Sequence, residues 1–286
     1  MSNQLRARLA AGDIDIPPVP HVLARVKELL RDESTGLREV GEVIAQEPAL
    51  AGRVLRIANS ALYGAGEPIL SVPRAATVMG IDALHNLVLQ AALRDEFAHL
   101  EENEALDFEG FWRHSLLVAR FSKEVGALVR RPLHLLPDEL HTCGLLHDVG
   151  VLLLLANVGP AYHPILVQGT NRGESLQDVE ERELGTTHCA VGARLCQLWG
   201  LPTLIHDVVL YHHAPGPASG LTREAAIVHI ADRLAYAADA GARVKSRSLI
   251  GPEREKFVGL PHEDLDSLCA EALHIAEEVR EQSTSS

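Results

Sequence analysis

The chain has 286 residues, enough for one large domain or two modest ones with a sizeable core. Its 26 basic and 39 acidic side chains give a net charge of −13, and no segment supplies the basic stripe that grips nucleic-acid phosphates, so a nucleic-acid polymer is excluded as the expected partner. The four cysteines, Cys143, Cys189, Cys196 and Cys269, form no CxxC pair, and neither a long apolar run nor a secretory signal is present, so a cytoplasmic protein with no membrane partner is expected.

In chain order nearly every segment carries a helical period. Val22, Val26, Leu29 and Leu30 fall on one face. Ser34 or Thr35 can cap a helix bearing Leu37, Val40, Val43 and Ile44. Pro48 suits the first turn of a helix running through Leu50, Val54 and Ile57 to Asn59, and Asp82 reads as a further cap. The acidic stretch Glu101 to Asp107 reads as a junction, giving an N-terminal helical lobe over 1–105 and a second lobe over 106–280.

Asp107 then caps a long helix with Phe111, His114, Leu117, Val118, Phe121 and Val125 directed inward. Pro137-Asp138 opens a single helix through HTCGLLHDVGVLLLL, ending before Asn157 to Pro160. Another starts near Thr186 or Thr187 and stops at Gly200 to Pro202. LIHDVVLYHH, the loop APGPASG and TREAAIVHIADRLAYAADA follow, and the tail EQSTSS is expected to be disordered. Alternating strand patterns are absent, so the expected fold is all-α.

Fifteen histidines are unusual, and their positions carry the chemistry. His114, His147-Asp148, His188, His212-His213 and Asp232 sit in or at the ends of apolar-faced helices. Buried polar groups need partners, and a divalent cation would satisfy them together. Mixed nitrogen and oxygen donors suit transition metals, iron or manganese first and zinc or nickel next. Neighbours on one helix point about 100° apart, so His147 can hold one ion while Asp148 bridges toward a second. Two ions so held grip phosphoryl oxygens and acidify water. The alternative is a relic site of neutral histidines hydrogen-bonded to Asp148 and Asp232. His21, His85, His134, His141, His163, His206, His229 and His262 read as surface or packing residues, with a supporting role behind the ligands considered for His229.

The order H…HD…H…HH…D resembles the HD superfamily of metal-dependent phosphohydrolases. ELGTTHCAVGARLCQLWGLP followed by LYHH resembles its HD-GYP and HDOD branches. IPPVPHVLARV, IAQEPALAGRVLRIANSALYG and ILSVPRAATVMGIDALHNLVL resemble the HDOD family, and the likeness covers roughly Ile16 to Asp232. It implies an N-terminal helical lobe joined to an HD-type metal-binding lobe. It also implies that His114, His147, Asp148, His188, His212 and Asp232 are ligands, with Asp148 the catalytic bridge and His213 at the second histidine of the HD-GYP pair. HD-GYP enzymes carry a lysine three residues after the aspartate, where this chain has Val151, and a GYP loop where it has APGPASG. Those departures make a cyclic-di-GMP phosphodiesterase doubtful and favour a signalling protein that meets its partners in trans. A phosphohydrolase for a nucleotide or cyclic dinucleotide is the alternative reading, and di-iron oxygen chemistry is a third. Arg233 and Lys245 are noted as cations that could face a phosphate, and Asn59-Ser60 as a structural tie.

Overall fold

The computed structural model describes residues 3–29, 35–59, 68–103, 105–171, 175–214, 223–242 and 258–284. Ser34, Ser60, Lys245 and most of the APGPASG loop, all singled out from the sequence, lie outside the described residues. Among the described residues the secondary structure is helical, with no strand, as the periodicity predicts. The chain forms two compact units, one of residues 17–98 and one of residues 1–16 with 99–285. Helix α1 (Asn3–Ala10) therefore falls in the larger unit, whereas the sequence assigns it to the N-terminal lobe.

The smaller unit contains α2 (His21–Leu29), α3 (Leu37–Ile44), α4 (Pro48–Ala58), α5 (Val72–Met79) and α6 (Ile81–Glu96). Gly36, not Ser34 or Thr35, occupies the cap of α3, because the Glu39 carboxylate reaches back to accept from the Gly36 N–H at 2.9 Å. Gly80, at φ +82°, caps α6, and Asp82 sits in its first turn, where a carboxylate still meets the positive end of the helix. Asn59 is a tie within this unit. Its Nδ2 donates to the Leu55 and Ile69 carbonyls at 2.7 and 2.8 Å, and its Oδ1 accepts from the Ile69 N–H at 2.7 Å.

The larger unit continues with α7 (Phe108–Leu128), α8 (Pro137–Leu146), α9 (Val149–Val158), α10 (His163–Asn171), α11 (Leu176–Leu184), α12 (His188–Leu198), α13 (Thr203–Tyr211), α14 (Arg223–Asp239) and α15 (His262–Thr284). Asp107 caps α7 as expected, its Oδ1 accepting from the Gly110 N–H at 2.9 Å. α7 packs against α8, α14 and α15, so its buried surface is wider than one stripe and includes Trp112, Ser115 and Ala119. Buried Leu9 and the contact of α1 with α11 hold the N-terminal residues here. The Asp15 N–H also donates to Asn157 Oδ1 at 2.8 Å, and Asn157 Nδ2 returns to the Asp15 carbonyl at 2.9 Å.

The chain departs from its sequence reading at two further places. The single helix expected from Asp138 onward is two, because Asp148 (φ −106°, ψ 10°) leaves the helical region after His147 (φ −51°, ψ −41°). The tail expected to be disordered is helical as far as Thr284, an extension of the apolar face that Leu265, Leu268, Ala272, Ile275 and Val279 bury. Residues Pro137–Gly169 together have the length and apolarity of a membrane span, which uninterrupted runs alone do not reveal. In the fold, however, Leu152, Leu153, Leu154 and Leu155 are all buried. A helix apolar on every side belongs at the centre of a core.

Glycines let backbones meet around α9 and α8. A Cβ on Gly150 would collide with the His188 carbonyl of α12, and one on Gly192 would come 3.2 Å from the Gly150 nitrogen. A Cβ on Gly144 would lie 2.7 Å from the Ala119 Cα on α7. Gly150→Ala is therefore expected to cost about 1–3 kcal/mol through overpacking, read as a lower urea midpoint with unchanged slope. A midpoint equal to the parent's would contradict the close approach.

His141 on α8 keeps a buried Nδ1 with no hydrogen-bond partner in the structure. Burial, then the nearby Lys123 charge, lowers its pKa from 6.5 to about 4. Below pH 6.5 the unfolded chain gains a proton that the folded chain refuses until about pH 4, so this contribution to stability is full above 6.5 and shrinks as pH falls. Urea midpoints at pH 7 and pH 5 should drop more for the parent than for His141→Gln.

Candidate metal centre

Five elements of the larger unit bring the sequence-derived residues together. His114 comes from the middle of α7, and His147 and Asp148 from the break between α8 and α9. His188 is the first residue of α12, His212 and His213 follow the end of α13, and Asp232 lies within α14. His147, His188 and His212 are buried, and Asp232 is 5% exposed.

Asp148 stands between two sets of donors. Its Oδ2 lies 3.2 Å from His147 Nε2, while its Oδ1 lies 3.4 Å from both His188 Nε2 and His212 Nε2. Asp232 Oδ1 is 3.0 Å from His114 Nε2 and 3.8 Å from His147 Nε2, which completes the first set. In the second, His213 Nε2 is 3.0 Å from His188 Nε2. The break after His147 thus achieves what the sequence reading assigned to a 100° step on one continuous helix: adjacent side chains that serve different pockets.

Backbone carbonyls fix the tautomers of two imidazoles. His147 Nδ1 donates to the Gly144 carbonyl and His212 Nδ1 to the Val209 carbonyl, each at 2.8 Å, which turns both Nε2 atoms inward as bare acceptors. His147 Nε2, His212 Nε2 and Asp148 Oδ1 are buried and make no hydrogen bond. Such acceptors, all aimed at one space, are costly unless a cation is shared among them. Of the bonds that a relic of neutral histidines would make to the aspartates, the one between His114 and Asp232 is formed, while the three atoms above are left without one. The donor set fits divalent transition metals.

Burial and neighbouring charges shift the pKa values of the groups in the centre. Burial pushes the Asp148 carboxyl up, but His147, His212 and His188 outweigh it and hold the group well below the carboxylate range. Burial likewise opposes, and the His114 hydrogen bond overcomes, in lowering Asp232. His147 is raised, the Asp148 and Asp232 charges outweighing burial. Burial lowers His212, and burial with the adjacent His212 and His188 charges lowers His213 to about 3.

Glu180, Tyr162 and Tyr236 escaped the sequence reading, which took Cys189 for a small core hydrophobe. Glu180 of α11 is fully buried and accepts from His188 Nδ1 at 2.6 Å and from the His188 N–H at 2.8 Å, and the Tyr162 hydroxyl donates to its other oxygen. One carboxylate thus caps α12 and orients the ring of its first residue. Tyr236, 61% exposed, places its ring 4.3 Å from that of His114 and marks where the centre meets solvent. Cys189 is buried with Sγ 3.3 Å from His188 Nε2. His229 Nδ1 donates to the His212 carbonyl at 2.9 Å, the supporting position considered for it. The second His-Asp dipeptide, His206-Asp207, pairs only within itself at 2.8 Å in the described contacts.

Titration of metal-stripped protein with manganese is expected to give about two equivalents, with loss of both from Asp148→Ala. Glu180→Gln should weaken one equivalent by about 10–100-fold and leave the other. Unchanged binding in Glu180→Gln would separate that carboxylate from ligand orientation.

A family model of the HDOD domain matches residues 16–215. An HDOD domain protein of unknown function from Geobacter sulfurreducens superposes with a TM-score of 0.77 at 27% identity, covering 98% of this chain and 97% of that one. A candidate phosphohydrolase from Shewanella amazonensis SB2B shares the fold at 24% identity and a TM-score of 0.74, covering 99% and 98%. A candidate signal transduction protein from Marinobacter aquaeolei VT8 does so at 21% and 0.73, covering 94% of this chain and 59% of that one. A protein of Treponema pallidum (strain Nichols) is 24% identical over 218 residues, 74% of this chain but 40% of the relative's own length.

Proposed function

The chain belongs to the HDOD family, and on that footing we propose that it is a regulatory protein of signal transduction. In this reading it keeps a two-ion HD centre and works in the cytoplasm by binding partner proteins in trans or a small ligand. The observation that carries it is Val151, a buried valine on α9. The ligand set is complete, yet the place where HD-GYP enzymes carry a lysine offers an apolar side chain. A centre with ligands but without that cation can hold ions and sense a ligand without being equipped for the phosphodiesterase reaction.

The separate orientation of the two Asp148 oxygens supports a second reading, a metal-dependent phosphohydrolase acting on a nucleotide or cyclic dinucleotide. His114, His147, Asp148 and Asp232 would hold one ion, and Asp148, His188 and His212 the other. Bound ions there would neutralise phosphoryl charge and acidify water. The chain's own contribution is a carboxylate held between the pockets, imidazoles held in one tautomer by carbonyls, and leucines that exclude water from behind.

Manganese- and iron-loaded protein should be assayed on a bis-aryl phosphodiester, cyclic dinucleotides and nucleoside mono- and triphosphates. No turnover above that of Asp148→Ala is expected, together with capture of a signalling partner by the loaded parent. Steady turnover that Asp148→Ala abolishes, without a partner, would overturn the regulatory reading in favour of the hydrolase.

A further inference from the structure

The two halves of the centre differ in chemistry. The first offers His114, His147, Asp148 and Asp232, all hard or borderline nitrogen and oxygen donors. The second adds a sulfur. The ligand atoms of His188, Cys189, His212 and His213 all lie within 4.8 Å of one another. Cys189 follows His188 at the start of α12, so the helix that presents the imidazole presents the thiol beside it.

Three of the spacings are close to those around a small ion. Zinc bound to nitrogen and sulfur at ordinary lengths sets its ligand atoms about 3.3–3.6 Å apart. Here Cys189 Sγ is 3.3 Å from His188 Nε2, and Asp148 Oδ1 is 3.4 Å from both His188 Nε2 and His212 Nε2. His213 Nε2, at 3.0 Å from His188 Nε2, is slightly close and would open on ion entry. His212 Nε2, fully buried and without a hydrogen bond, independently points a bare acceptor into the same space.

We propose that Cys189 is a metal ligand and that it makes the second pocket selective for a soft ion such as zinc, so that the centre takes two different metals. The inference rests on the two-ion reading above. Thiolate favours zinc over manganese, whereas the first pocket, without sulfur, suits manganese or iron. On binding, the Cys189 sulfur gives a lone pair to the ion as a thiolate, its proton passing to solvent.

The test is metal-stripped, reduced protein offered one equivalent each of zinc and manganese, then analysed for both elements. About one of each is expected, and Cys189→Ser should lose at least about tenfold in zinc preference. Cobalt loading supplies a direct signature, a thiolate-to-cobalt charge-transfer band that Cys189→Ser lacks. Cys143→Ala, Cys196→Ala and Cys269→Ala should each keep the band, which assigns it to Cys189 even if Cys189→Ser fails to fold. Cobalt bound without the band, or a band that survives in folded Cys189→Ser, would overturn the proposal and leave the two-ion centre standing. No uptake of cobalt, zinc or manganese by the parent would remove the two-ion reading and this inference with it.

Discussion

The carboxylate of Asp148 sets the terms for the larger unit. A largely buried negative charge with one oxygen making no hydrogen bond is expensive, and the chain surrounds it with imidazoles rather than with lysine or arginine. Neutral imidazoles that expose a lone pair toward the carboxylate do not cancel its charge. They share with it a need for something positive between them. The helices that carry those imidazoles must then converge on one point, which is why five elements with little local sequence in common end at the same place.

Much of this was legible in the residues themselves. Apolar periods gave the helices, Asp107 and Thr187 announced two of their starts, and the spacing of histidine and aspartate gave the ligand candidates. The break at His147-Asp148 was not legible, because VGVLLLL continues the apolar character and neither glycine nor proline sits between the two residues. The Val151 N–H to Asp148 carbonyl bond, at 2.8 Å, opens α9 just after the break, a local turn that propensity does not announce.

Glu180 was hidden for a different reason. In sequence it belongs to DVEERELG, a run that reads as a solvated acidic face, and only the fold separates the buried carboxylate from its exposed neighbours Glu181 and Glu183. Tyr162, beside Gly159-Pro160, reads as a loop residue until its hydroxyl is seen on Glu180. The first sixteen residues group with the larger unit because Asp15 finds its partner, Asn157, more than a hundred residues away, which local sequence does not reveal.

The glycine crossing of α9 and α12 has a consequence for how such a protein can change over generations. Main chain against main chain, at Gly150 and Gly192, sets the distance between the segment that begins at Asp148 and the helix that begins with His188. That distance does not depend on which side chains line the cage. A descendant can exchange an imidazole or the cysteine for another residue and inherit the same cavity dimensions, free to take a different occupant. Loss of either glycine, by contrast, would alter the cavity itself, so the architecture is guarded by its smallest residues and its chemistry is left open to drift.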